Sequence, residues 1–179
     1  MNVKRTQTER SEATRATLIE AARRLFAERG YASVGTEEIV RSAGVTRGAL
    51  YHHFSDKRDL FEAVYSQLEA ELTERIAAGA LTANADSPLA AMRAGAEMFL
   101  DACTEPEAQR IALLDGPAVL GWDRWREIGA AHGLGLIEAT LRAAVEAGAI
   151  PQQPVRPLAH VLMGALDEAA LLVATADDP

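Results

Sequence analysis

Between residues 36 and 54 the chain runs Thr-Glu-Glu-Ile-Val-Arg-Ser-Ala-Gly-Val-Thr-Arg-Gly-Ala-Leu-Tyr-His-His-Phe, and that spacing leaves few folds open. Two helical stretches, each too short to be stable alone, are joined by a tight turn at Ala43-Gly44-Val45, the pattern of a helix-turn-helix. Ile39 and Val40 of the first stretch are placed to meet Val45, Leu50 and Phe54. Gly44 takes the sharp turn, where a left-handed backbone costs glycine least. Such packing leaves Arg47, Gly48, Ala49, Tyr51, His52 and His53 on the opposite face of the second stretch. That face suits a DNA groove: the small Gly48 and Ala49 let the backbone approach base edges, and Arg47 matches guanine O6 and N7. Thr46 and the free amides at the start of the helix are suited to a phosphate.

The rest of the chain also reads as helix, because Ala, Leu, Glu and Arg dominate and no segment alternates like a strand. A first helix is expected over 11–29, with Leu18, Ala22, Leu25 and Phe26 on one face and Gly30 as its stop. Thr36 is expected to cap the second helix, with Glu37 and Glu38 favourable in its first turn, and Thr46 the third. Ser55-Asp56 opens a long fourth helix, expected to end near Gly79, with a stripe of Leu60, Phe61, Val64, Leu68, Leu72 and Ile76. Ser87-Pro88 starts a fifth helix, with the proline at its first position. Thr104-Glu105-Pro106-Glu107 has the capping-box pattern of a sixth, and Asp115-Gly116-Pro117 is expected to interrupt it. A seventh is expected over 121–147, weakened near Gly133 and Gly135, and an eighth over 158–175. The polar stretch 79–86 marks a module boundary. The expected division is a DNA-binding domain over 1–56, a connecting helix and linker over 57–86, and a helical body over 87–179.

The net charge of −8 argues against a nucleic-acid partner only until its distribution is considered. Residues 1–60 carry eleven Lys/Arg against eight Asp/Glu, while residues 61–179 carry seven against eighteen. A basic module attached to an acidic body is what this asymmetry suggests. Lys4 and Arg5 precede no apolar stretch, so a secretory signal is not expected. Each apolar run is interrupted by Arg, Glu, Asp or His, so no membrane span or membrane partner is expected. A single cysteine, Cys103, leaves no internal disulfide or cysteine-built metal site. These features place the chain in a reduced cytoplasm. Neighbouring His52 and His53 do not face each other on a helix, so no metal is expected there.

Three segments together carry a resemblance: residues 30–39, Gly-Tyr-Ala-Ser-Val-Gly-Thr-Glu-Glu-Ile; residues 43–54, Ala-Gly-Val-Thr-Arg-Gly-Ala-Leu-Tyr-His-His-Phe; and residues 56–61, Asp-Lys-Arg-Asp-Leu-Phe. Over about residues 13–65 the chain resembles the DNA-binding domain of TetR/AcrR-type repressors. The resemblance implies an all-α protein, in which a three-helix helix-turn-helix domain is joined by a long fourth helix to a ligand-binding and dimerisation domain. By position, it implies that Arg47, Gly48 and Ala49 face base edges, with Thr36, Thr46, Tyr51, His52, His53 and Lys57 along phosphates. It also implies a homodimer on a near-palindromic operator, its recognition helices about 34–36 Å apart in successive major grooves.

Residues 87–179 contain no phosphate-cradling glycine loop, no metal-ligand cluster and no nucleophile beside a base, so neither cofactor nor catalysis is expected. By the resemblance this body holds a pocket for a small-molecule effector of unspecified identity, with Met92, Met98, Phe99, Leu114, Trp122, Trp125 and Ile137 as candidate walls; each is also an ordinary core residue type. In the last helix Leu162, Gly164, Ala165, Leu166 and Leu172 are candidates for a symmetric helix-pair interface, because small residues permit close approach. The resemblance implies a further helix beyond, whereas the sequence given closes at Asp177-Asp178-Pro179. An adaptor whose acidic body recruits another protein is a second reading, and an enzyme using Cys103 or His132 a remote third.

Overall fold

The structure is a computed structural model and describes residues 6–82 and 87–175. Lys4 and Arg5, the linker residues 83–86 and the closing Asp177-Asp178-Pro179 lie outside the described residues. Among the described residues the regular structure is helical, with no strand. The chain forms two compact units, 1–65 and 66–179.

In the first unit, α1 (Gln7–Arg29), α2 (Thr36–Ala43), α3 (Arg47–His53) and the first turns of α4 (Lys57–Thr82) surround one core. Helix α1 starts four residues earlier than its apolar pattern suggests. Thr6 and Glu9 form a reciprocal capping box there, the Thr6 side chain accepting from the Glu9 amide and Glu9 accepting from the Thr6 amide, which satisfies two otherwise orphaned donors. Leu18, Ala22 and Phe26 of α1 are fully buried, as are Ile39, Leu50, Leu60, Phe61 and Val64. Phe26, Phe61 and the half-buried Tyr31 form a triangle with ring centroids 5.2–5.6 Å apart, a spacing that favours tilted and edge-on aromatic contact. Because Phe61 of α4 closes this triangle, the first unit extends through the opening turns of that helix. Gly35, not Thr36, is the cap of α2; Thr36 already has helical geometry, so its hydroxyl does not make the expected cap bond.

In the second unit α5 (Pro88–Cys103) opens as expected, the Ser87 hydroxyl accepting from the Ala90 amide with Pro88 in the first turn. The capping box expected at 104–107 does not form. Thr104 instead closes α5, its hydroxyl donating to the Asp101 carbonyl. The short α6 (Pro106–Ala108) is capped by Glu105 without a side-chain bond. It runs into a π-helical segment, Gln109–Asp115, and then α7 (Gly116–Leu120). The expected break at Gly116-Pro117 is therefore a change of helical register, tolerated because Pro117 falls in the first turn of α7, where no amide is required. The residue five beyond Ala112 is Pro117, which has no N–H to donate; the Ala112 carbonyl accepts from the Trp125 indole at 2.8 Å instead. A side chain on Gly116 would place its Cβ 2.8 Å from Trp125 Cδ1, so packing against the indole favours glycine there.

Helix α8 (Trp122–Glu146) runs unbroken through Gly133 and Gly135, and α9 (Val155–Thr175) starts three residues earlier than expected. Leu134, Leu141 and Ala159 form a buried cluster, against which Met92, Ile137, Leu162 and Met163 pack. By length and composition α9 is apolar enough to cross a bilayer, contrary to the expectation that no run reaches that length. Its four ionisable residues, Arg156, His160, Asp167 and Glu168, are too few to break the run.

Two ionisable groups of this unit, the buried Cys103 and the half-buried Asp167, give testable behaviour. Cys103 is buried, and burial, reinforced by Glu69, Asp167 and Glu105, raises its thiol pKa to about 12. Since the thiolate is the nucleophile, iodoacetamide is expected to leave the native protein unmodified at pH 8 and to alkylate Cys103 once urea unfolds it. Rapid alkylation of the folded protein, read by mass spectrometry, would contradict this environment. Asp167 lies on the inward stripe of α9 between Met163 and Ala170. Burial raises its carboxyl from 3.8 to about 6, against the pull of Arg126. The folded state therefore binds this proton more tightly than the unfolded chain, so the stability that protonation confers is complete below the unfolded value and lost as pH rises through 6. Asp167→Asn is expected to raise stability at pH 8 by about 1 kcal/mol, after allowance for solvent screening, and to change little at pH 3.5. Equal urea-midpoint shifts at both pH values would contradict the assignment.

Candidate DNA-binding site

Helix α3 is short and amphipathic, and its position is set by the turn before it. Gly44 has φ 67° and ψ 27°, and amides on its two sides close the end of α2: Gly44 donates to the Arg41 carbonyl and Val45 to the Val40 carbonyl at 3.0 Å. Left-handed geometry of this kind favours glycine. Thr46 then caps α3, its hydroxyl accepting from the Ala49 amide at 3.2 Å. Leu50 and Phe54 face the core and are buried; Arg15 of α1 lies over the Phe54 ring.

The other face of α3 is exposed at Arg47, Gly48, Tyr51 and His52, with Ala49 and His53 half-buried at its edge. A Cβ on Gly48 would meet nothing closer than Thr46 Oγ1 at 3.9 Å. Internal packing thus does not require glycine here, and the missing side chain leaves the backbone of α3 open to a close approach from outside. Tyr51 is 44% exposed, and the Arg47 guanidinium lies over its ring at 5.5 Å, a cation–π contact. Arg47 also donates from Nη1 to Glu37 Oε1 at 2.9 Å. The Glu37 reading from sequence, helix-end stabilisation alone, missed this pair. The ten-residue separation hid it, because only the turn at Gly44 brings the start of α2 beside the start of α3.

His53 has its pKa lowered by partial burial, then by His52 and Arg15, all of which disfavour its charged form. Lys57 is turned inward. Its ammonium donates to the Tyr31 and Val34 carbonyls, both at 2.8 Å, and lies 3.8 Å from the Tyr31 ring centroid. Its position holds the 3₁₀ turn Tyr31–Ser33 against the start of α4, a role that spacing alone does not reveal. Thr36 is half-buried at the start of α2.

The seven pocket candidates are dispersed within the second unit. Met92 and Ile137 pack on the Leu134, Leu141 and Ala159 cluster. Trp125 is buried and stacks at 4.9 Å on Trp122, which is exposed, as is Leu114. Met98 covers Gly79, where an added Cβ would collide with its thioether, and Phe99 is half-buried. Sequence reading passed over one internal polar pair, Ser66 Oγ with His132 Nε2 at 3.0 Å. On α9, Leu162 packs inward, Gly164 lies under the Arg126 guanidinium, and Leu166 is half-buried. Ala165 and Leu172 face outward with Val161, which is 67% exposed.

A buried-core helix-turn-helix whose second helix presents a small, cationic and polar face defines a DNA-binding regulator. The family described as bacterial regulatory proteins, tetR family, matches residues 18–64, and the tetracyclin repressor-like C-terminal domain matches residues 89–179. The chain belongs to the TetR family of transcriptional regulators. A solved TetR-family regulator from Pectobacterium atrosepticum is 37% identical and superposes with a TM-score of 0.84, covering 97% of this chain and 88% of that one. The transposon Tn10 TetC protein of Escherichia coli is 28% identical over 92% of this chain and 82% of its own length. The transcriptional repressor AcnR of Corynebacterium diphtheriae is 40% identical over 37% of this chain and 35% of its own length. Other curated regulators match over 30% to 62% of their lengths.

Proposed function

We propose that the protein is a cytoplasmic repressor that binds a near-palindromic operator as a homodimer and releases it when a small molecule occupies the second unit. The observation that carries the DNA half of this reading is the open outer face of α3. Gly48 leaves the helix backbone uncovered beside an exposed Arg47, and the major groove admits a helix with such a face. Arg47, Gly48 and Ala49 read bases in this account; Thr36, Thr46, Tyr51, His52 and His53 line the phosphates. Lys57 supports the site mainly by bracing the 3₁₀ turn.

Dimerisation is supported by the outward face of α9. Val161, Ala165 and Leu172 are exposed along one side of α9, with the carboxylate of Glu168 between Ala165 and Leu172, and a two-fold interface buries the same side from both copies. Release follows if an effector favours a body conformation that misplaces the recognition helices. Helix α4 is continuous in sequence from Lys57 to Thr82, and coupling of about 1–3 kcal/mol is typical of such switches. Met92, Met98, Phe99 and Ile137 remain the wall residues of choice.

Selection of bound duplexes from a random pool tests this reading. The expected product is a site with inverted half-sites one helical turn apart, bound by two protomers. Recovery of no preferred sequence, or of a single half-site bound by one protomer, would overturn it.

A further inference from the structure

The Glu37–Arg47 pair has an electrostatic consequence at the DNA face. Within α3 the basic side chains are Arg47, His52 and His53, and Arg47 alone is a permanent cation. The Glu37 carboxylate sits on this guanidinium at 2.9 Å, with both side chains more than 60% exposed. Neither side chain belongs to the buried core, so filling the interior does not account for the pair.

Its geometry is directional. Glu37 takes Nη1, and the Tyr51 ring lies beneath the guanidinium. Nη1 is thereby held toward the start of α2, while among the described residues the edge formed by Nε and Nη2 carries no hydrogen bond. Two parallel N–H groups on that edge match the O6 and N7 acceptors of a guanine. A phosphate, in contrast, is attracted chiefly by net positive charge, which the adjacent carboxylate cancels.

We propose that Glu37 is a specificity-determining residue: it orients Arg47 so that its free edge meets guanine, and it opposes capture of the same guanidinium by phosphates. This rests on α3 being the base-reading helix, as argued above. Glu37 need not touch DNA; it acts through Arg47, as a positioning residue.

The test uses the full-length protein, with two duplex probes of equal length: the site that wild type enriches from a random pool, and unselected random sequence. Glu37→Gln keeps the size and one acceptor but removes the charge. It is expected to strengthen binding to random DNA by about 3–10-fold, to lower the ratio of selected to random affinity by about 10-fold, and to steepen the log–log salt slope on random DNA by about one unit, as for one added phosphate contact. In an Arg47→Ala background the same substitution should leave that ratio unchanged. An unaltered ratio in the single variant, or an equal change in the Arg47→Ala background, would overturn the proposal. So would equal weakening on both probes with a lowered melting temperature, which would mark a structural role. If wild type enriches no sequence at all, the failure lies instead with the DNA-binding reading.

Discussion

Arg47→Ala is expected to weaken binding to the selected operator by roughly 5- to 150-fold, about 1–3 kcal/mol, and to relax the preference at one base pair in each half-site. The expectation follows from what the side chain does in the free protein. It is exposed and contributes nothing to the core; its contacts are Glu37 and the Tyr51 face. Removing it should leave the urea midpoint nearly unchanged, since exposed ion pairs of this kind contribute only about 0–1 kcal/mol. Competition binding against operators carrying single base changes separates the outcomes. Loss confined to the native operator, with random DNA little affected, supports base reading, whereas equal loss on both probes would reduce Arg47 to a phosphate contact.

Phe26→Ala is expected to cost about 3–5 kcal/mol of stability in the first unit and to abolish operator binding, although Phe26 lies inside the unit, away from the exposed face of α3. Phe26 is fully buried and packs on both Tyr31 and Phe61, so its loss opens a cavity where α1, the 3₁₀ turn and α4 meet. Small units have little stability in reserve. Urea unfolding followed by circular dichroism should therefore show an early transition for the first unit, with the second unit persisting. A single transition at the wild-type midpoint would mean that the aromatic triangle does not hold the unit together.

Much of the DNA-binding unit was legible in the sequence because its signals are local. The glycine at 44, the cap at Thr46 and the apolar spacing of Ile39, Val40, Leu50 and Phe54 each fix one feature over a few residues, and the folded unit retains all of them. What escaped depended on contacts between distant segments. Glu37 reaches Arg47 only after the turn forms, and Lys57 finds the Tyr31 and Val34 carbonyls more than twenty residues away. Periodicity says which face of a helix is polar, but not which of its charges will meet.

The second unit was less legible for a different reason. Its helices are apolar over wide arcs, so composition does not distinguish an inner from an outer stripe: Leu162 and Leu172 look alike in sequence, yet one packs inward and the other faces out. The π-helical segment has no sequence signature beyond the proline that follows it. Its structural logic appears only with the Trp125 indole on the Ala112 carbonyl. The capping box at 104–107 was a false signal, since Thr104 lies one residue too early and serves the preceding helix.

Methylation interference on the selected operator is the most direct test of α3 as the groove-reading element. Methyl groups on guanine N7 project into the major groove, and modification of one guanine in each half-site is predicted to block binding by wild type but not to weaken Arg47→Ala further. Tolerance of N7 methylation throughout the site, with sensitivity only to minor-groove adenine N3 methylation, would contradict the account.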